Sequence, residues 1–163
     1  MKIVTLKKLL GLLPRMREKG KKIVFTNGCF DLLHPGHIRC LKKAKEQGDI
    51  LIVGLNSDNS VKKIKGPGRP FLPENERALM LAALEAVDYV VVFNESTPLK
   101  LIKLIQPDIL VKGEEYRNRK VVGSFVVKNY GGRVVFIPMV AGYSTTSIAE
   151  RLAQTYKTSG RQK

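Results

Sequence analysis

Apolar residues fall along this chain in two rhythms. Five runs of strand length, 22–26, 50–55, 88–93, 108–112 and 133–137, are nearly continuous in Val, Ile and Leu. Between them, near 36–47, 73–86, 98–105 and 121–130, apolar positions recur at helical spacing. Strands that alternate with helices and are apolar on both sides predict an α/β domain with a parallel sheet covered on both faces. Ahead of the first run, Leu6, Leu9, Leu10 and Leu13 recur at helical spacing behind Thr5, a good N-cap. Pro14 is expected to kink or end that helix, or to begin a second short one. A last helix is expected to start at Ser144, and the tail from Lys157 onward is polar. The pattern thus divides into an N-terminal helical extension (1–20), a main domain (21–155) and a polar tail (156–163).

In doubly wound parallel sheets, ligands bind beyond the carboxyl ends of the strands, where the strand order reverses. The loops expected there are 27–37, 56–72, 94–97, 113–120 and 138–147, and they hold most of the chain's Gly, Pro, His and Ser/Thr clusters. One of them stands out. Thr26-Asn27-Gly28-Cys29-Phe30-Asp31-Leu32-Leu33-His34-Pro35-Gly36-His37 runs from the first apolar strand directly into a helix. A helix start offers unpaired N–H groups and the positive end of a dipole to phosphate oxygens. Gly28 lets backbone approach a bound group, and His34 and His37, three apart, present ring donors on one side of the first turn. The layout suits a nucleoside triphosphate, with neutral or protonated imidazoles donating to phosphate as charge moves toward a leaving pyrophosphate.

Other segments join the same rim, each with a plainer alternative. Lys62, Lys63, Lys65 and Arg69 crowd a loop with Gly66 and Gly68, either a mobile cover over a triphosphate or a solvated basic loop. Arg77, early in the helix from Pro73, either reaches phosphate or pairs with Glu74 or Glu76. Ser144-Thr145-Thr146-Ser147 after Gly142 is a second anion site or an over-provided N-cap. Gly113 allows a flat base to pack on backbone; Asp31 and Asp58 suit sugar hydroxyls or a Mg²⁺ shell, or are turn residues. Cys29 reads as turn packing, with no base beside it to make it a nucleophile.

Composition narrows the class. The two cysteines form neither a CxxC pair nor a disulfide framework, no apolar run reaches membrane-spanning length, and the N-terminus lacks a signal-peptide pattern, so a cytoplasmic protein is expected. A net charge of +15 fits anionic substrates or nucleic acid; aromatics at 7% with no Trp leave no evident stacking platform, which makes nucleic acid the lesser reading.

These residues resemble the cytidylyltransferase-like nucleotidyltransferases, through Gly28-Cys29-Phe30-Asp31, His34-Pro35-Gly36-His37 and Ser144-Thr145-Thr146, over nearly all of 22–153. Within them the chain is most similar to the D-glycero-β-D-manno-heptose 1-phosphate adenylyltransferases of lipopolysaccharide inner-core synthesis. The matching segments include Asn56-Ser57-Asp58, Leu84-Glu85-Ala86-Val87-Asp88, Gln106-Pro107-Asp108-Ile109-Leu110-Val111-Lys112-Gly113 and Gly142-Tyr143-Ser144-Thr145-Thr146. The resemblance implies a Rossmann-like doubly wound five-stranded parallel sheet, with ATP as co-substrate, Mg²⁺ on its triphosphate and a sugar 1-phosphate acceptor. It also implies a homodimer and a separate sugar kinase upstream, since many relatives carry this domain behind such a kinase.

Carried over residue by residue, the resemblance has His34 and His37 bind the triphosphate and stabilise the transition state. Lys62 or Lys65 and Arg77 then help hold phosphates. Asn27, Gly28, Cys29, Phe30, Gly113, Ser144, Thr145 and Thr146 frame the nucleotide, and Asp31 and Asp58 face the sugar phosphate. Glu115 stands where relatives often have Asp before Tyr, and Met139 where glycerol-3-phosphate cytidylyltransferases have Arg. The rival expectations are a CTP-dependent enzyme acting on an alcohol phosphate such as glycerol 3-phosphate, and a basic nucleic-acid-binding protein without catalysis.

Overall fold

Residues 1–138 and 142–159 are described by a computed structural model. Met139 and the end of the polar tail, 160–163, lie outside the described residues. Five parallel strands form one sheet: β1 (Ile23–Gly28), β2 (Ile50–Asn56), β3 (Tyr89–Phe93), β4 (Ile109–Gly113) and β5 (Arg133–Ile137). Their order is β3-β2-β1-β4-β5. The chain winds outward from β1 to β3, crosses back beside β1 as β4, and winds outward again to β5. The order therefore reverses between β1 and β4, which places the expected ligand crevice above their carboxyl ends. All five strands lie where the apolar runs predict them.

Helices cover both faces, as the two-sided apolar runs require. On one face α1 (Leu6–Glu18), α5 (Leu99–Ile105) and α6 (Ser124–Asn129) bury Leu9, Leu13, Ile102, Ile105 and Val127 against Ile23, Phe25 and Leu110. On the other, α2 (Pro35–Lys45) and α4 (Glu74–Ala83) bury Leu41, Ala44, Ala78 and Leu81 against Val24, Val53 and Val111. At the amino ends of the strands, three aspartates close orphan backbone donors. Asp49 accepts from Lys22 N–H at 2.8 Å, Asp88 from Leu51 N–H at 2.7 Å and Asp108 from Ile23 N–H at 2.8 Å. The chain start runs along the outer edge of β3, with Val4 N–H donating to the Val90 carbonyl at 3.0 Å. That contact covers part of an edge that is otherwise open to pairing.

Two expectations need correction. Thr5 caps α1 as expected, but the helix runs through Pro14 to Glu18. The one hydrogen bond lost to proline is outweighed by burial of Leu9 and Leu13 ahead of it and, beyond it, by Arg17, which donates to the Ile105 and Gln106 carbonyls at 2.6 and 2.8 Å. The segment 56–72 is not all loop. Ser57 caps a helix, α3 (Asp58–Lys65), whose C-cap Gly66 has φ 89°. Lys62, Lys63 and Lys65 are thus fixed on the last turn of a helix, not carried on a free loop. The last helix, α7 (Thr145–Ser159), begins one residue after the expected Ser144.

Candidate active site

β1 delivers the chain to the crevice through a turn with no room for side chains in the wrong place. A Cβ on Gly28 would sit 3.1 Å from the Phe30 ring. Phe30 itself takes a left-handed conformation, φ 44°, which is uncommon outside glycine and held here by burial of its ring. That ring lies 5.2 Å from the His37 ring, centroid to centroid.

His34 caps α2. Its Nδ1 accepts the His37 backbone N–H at 3.3 Å, which leaves the imidazole proton on Nε2, the nitrogen available to a ligand. The His37 ring stacks on it, centroids 3.7 Å apart and 19° from parallel. Gly36 is the residue that allows this: a Cβ there would lie 3.0 Å from His34 Nδ1 and 3.3 Å from the Tyr143 Cβ. Burial lowers the His34 pKa. Burial, then the adjacent His34, pushes His37 down to about 4, against the opposing pull of the Leu32 carbonyl. Both rings are therefore neutral near neutral pH, one of the two protonation states left open by the spacing alone. His37 Nδ1 is buried and makes no hydrogen bond of ordinary geometry among the described residues.

α7 starts opposite. Ser144 Oγ accepts from Ser147 N–H at 3.0 Å, and Ser144 N–H donates to Ser147 Oγ at 3.2 Å. Both serines thus serve the cap, while Thr145 and Thr146 line the cleft beside Ser144.

The cleft holds about 670 Å³. Twelve of the fifteen residues to which the family resemblance gives a role border it. Asn27, Gly28, Cys29, Phe30, Asp31, His34 and His37 come from β1 and the turn after it; Lys65, Gly113, Ser144, Thr145 and Thr146 come from the facing elements. Three do not border it. Lys62 is exposed on α3, away from the opening. Arg77 is 0% exposed, and its guanidinium is spent on protein. It donates to the carbonyls of Leu72 (2.9 Å), Asn56 (2.9 Å) and Cys29, and to Asp58 Oδ1 (2.7 Å). Asp58 is turned to that guanidinium, not to a sugar. Arg77 and Asp58 therefore tie the ends of β1, β2 and the 66–73 loop together, in place of the phosphate and sugar contacts expected of them.

Asp31 borders the cleft but its carboxylate holds a loop. Oδ1 accepts from the backbone of Phe71 (2.7 Å) and Leu72 (3.2 Å), and Oδ2 from Arg69 (2.9 Å). Arg69 also lies over the Phe71 ring at 3.9 Å. Among the described residues no cluster of three His, Cys, Asp or Glu side chains could hold a metal ion, and the Asp31 oxygens are already used. Burial raises the Cys29 thiol pKa, in keeping with packing and against nucleophilic use.

Lys112 is the functional candidate that the motifs passed over. It ends β4, borders the cleft, and donates from Nζ to Asn27 Oδ1. Burial pushes its ammonium down to about 8, against the pull of Glu115. The signal was a lone cation closing an otherwise apolar strand, Ile109-Leu110-Val111-Lys112-Gly113.

A five-stranded parallel sheet in this order, with a histidine pair capping the helix after β1 at the switch point, has the fold of the nucleotidyltransferases. The chain belongs to the cytidylyltransferase-like family, which it matches over residues 25–151. It is 57% identical over 141 residues to Bifunctional protein HldE of Syntrophotalea carbinolica, covering 86% of this chain and 29% of that protein. It is 53% identical over 155 residues to Bifunctional protein HldE of Geobacter metallireducens, covering 95% of this chain and 32% of that one. The chain thus spans about a third of the length of these curated relatives. Among solved structures it resembles the lipopolysaccharide core biosynthesis protein from Thermoplasma volcanium, with TM-score 0.61 and 29% identity, covering 74% of this chain and 98% of the other. Among the described residues, no helix is long and apolar enough to cross a membrane.

Proposed function

We propose that this domain transfers the adenylyl group of ATP to D-glycero-β-D-manno-heptose 1-phosphate, releasing pyrophosphate and ADP-heptose for lipopolysaccharide inner-core synthesis. The observation that carries the reading is the stacked, neutral His34–His37 pair on the first turn of α2 at the strand-order switch point. The 57% identity to an HldE protein directs it to a heptose phosphate.

In the proposed step an acceptor phosphate oxygen attacks the α-phosphorus of ATP in line. The new P–O bond forms as the bond to the β-phosphate bridging oxygen breaks, and pyrophosphate leaves with that electron pair. No covalent enzyme intermediate is required. Little covalent chemistry falls to the protein, so positioning and preorganised donors carry the rate. His34 Nε2–H, His37 and the N-terminus of α2 face the phosphates as charge moves toward the leaving group, with Lys65, Thr145 and Thr146 at the rim. Gly28 and Gly113 give the nucleotide backbone to lie on. Magnesium enters as the counter-ion of ATP, and the acceptor comes from a sugar kinase. The protein works in the cytoplasm as a homodimer.

The test is pyrophosphate release, crossing ATP and CTP against heptose 1-phosphate and glycerol 3-phosphate. Release with ATP and heptose 1-phosphate alone is expected. Release only with CTP would move the domain to a sister activity, and silence of the folded protein in all four would overturn the reading.

A further inference from the structure

β4 ends in a cation that the steps above leave without a task. Lys112 is half buried at the strand's carboxyl end, directly across the β1–β4 switch point from the turn that carries the histidines. Its Nζ donates to the neutral Asn27 Oδ1 and lies 5.8 Å from the Tyr116 ring. The other cleft cations differ from it. Arg69 is paired with Asp31, while Lys65 and Lys120 are exposed to solvent. Among the described residues no salt bridge forms to Lys112, and Glu115 is the carboxylate that acts on it. A half-buried ammonium whose one hydrogen-bond partner is neutral has lost hydration without gaining an ion-paired counter-charge, the condition under which an incoming anion binds well.

The pleat says which anion. Successive side chains of a strand point to opposite faces. Phe25 and Leu110 belong to the face under α1, α5 and α6, so Asn27 and Lys112, two residues on, rise from that face. α2, with His34 and His37, lies over the other face, against Val24 and Val111. In-line displacement at phosphorus needs the attacking oxygen and the leaving pyrophosphate on opposite sides of the α-phosphorus. With the pyrophosphate at the histidines, the attacking oxygen arrives from the Lys112 side.

We propose that Lys112, steered by Asn27, binds the phosphate of the acceptor sugar and aims its oxygen at the α-phosphorus. The inference rests on the adenylyl-transfer reading and adds the acceptor subsite to it. The polar groups on this side of the cleft, Ser96, Thr97 and Glu115, then meet the sugar hydroxyls. The lowered ammonium pKa supports the assignment, because a bound dianion restores the charge that burial opposes.

The experiment compares wild type with Lys112→Met, which keeps the apolar stem, and Lys112→Gln, which keeps a donor toward Asn27. KM for ATP and for heptose 1-phosphate are measured separately by pyrophosphate release, and binding of a non-hydrolysable ATP analogue by calorimetry serves as the check that each variant is folded. The expected result is a rise of about tenfold or more in the acceptor KM of both variants, the scale of one lost charge-assisted hydrogen bond, with analogue affinity unchanged within about twofold. An unchanged acceptor KM in a variant that binds the analogue would overturn the proposal. So would a loss falling on ATP, which would make Lys112 a nucleotide contact. A wild-type protein that binds the analogue but turns over no sugar phosphate defeats the adenylyl-transfer reading itself, which separates that failure from the failure of Lys112.

Discussion

Three small features hold His34 and His37 at stacking distance. Gly36 leaves space for the His34 ring, the His37 backbone N–H fixes the His34 tautomer, and Phe30 closes the far side of His37. Replacing either histidine by alanine is expected to lower kcat about a hundredfold, as loss of one preorganised donor does, with the fold intact by circular dichroism. Gly36→Ala is expected to do similar damage without touching either ring, since its Cβ would meet His34 Nδ1 at 3.0 Å. Near-normal turnover in all three variants would remove the pair from the mechanism. His37 also ties stability to acid. Its folded pKa of about 4 lies below the ordinary value of 6.5, so the unfolded chain takes up the proton first. Its contribution is full above about pH 6.5 and is lost as pH falls toward 4. A melting-temperature profile over that range should flatten in His37→Gln. This site was legible in the sequence because its parts are local: strand, turn, two histidines and a helix cap lie within fifteen residues of one another. Lys112 was not, since its meaning depends on β4 lying beside β1, a neighbour 85 residues away along the chain.

At the scale of elements, Arg77 shows how a charged residue in a site motif can serve the scaffold. The sequence offered phosphate, Glu74 or Glu76 as its partners, whereas the fold gives it Asp58 and three carbonyls. Nothing in local spacing reveals a guanidinium that is 0% exposed. Arg77→Met is expected to destabilise the protein by about 3–5 kcal/mol, because it strands Asp58 and unpairs buried carbonyls. Urea denaturation reads this directly, and wild-type stability in the variant would mean the network is idle. α3 was missed for a different reason. Its signals are ordinary ones, a Ser57 cap, Asp58 in the first turn, lysines in the last and Gly66 at the end, but they were outweighed by the Gly and Pro that follow. Ser57→Ala is expected to cost about 1 kcal/mol, the usual loss for a capping hydroxyl. The apolar strands were easy to place since burial on both faces leaves a signal that no loop imitates. The aspartates of the Leu84–Asp88 and Gln106–Gly113 segments belong with them: Asp88 and Asp108 close strand starts at the far edge of the sheet from the cleft.

Across the whole molecule, topology does what no single segment can. Strand order β3-β2-β1-β4-β5 brings the turn after β1, the ends of β2 and β4 and the start of α7 to one rim. A net charge of +15 favours the approach of anions such as ATP in the proposed reaction. The KM for ATP is therefore expected to rise with salt between about 0.05 and 0.5 M, while kcat holds, as screening acts on encounter more than on a desolvated transition state. The central claim is direct transfer of the adenylyl group. The measurement that tests it most closely is a single turnover with ATP labelled at the α-phosphorus, excess enzyme and heptose 1-phosphate. The account predicts that the label passes into a nucleotide sugar and that none stays on acid-precipitated protein. Label retained in ATP with acceptor saturating, or found on the protein, would contradict it.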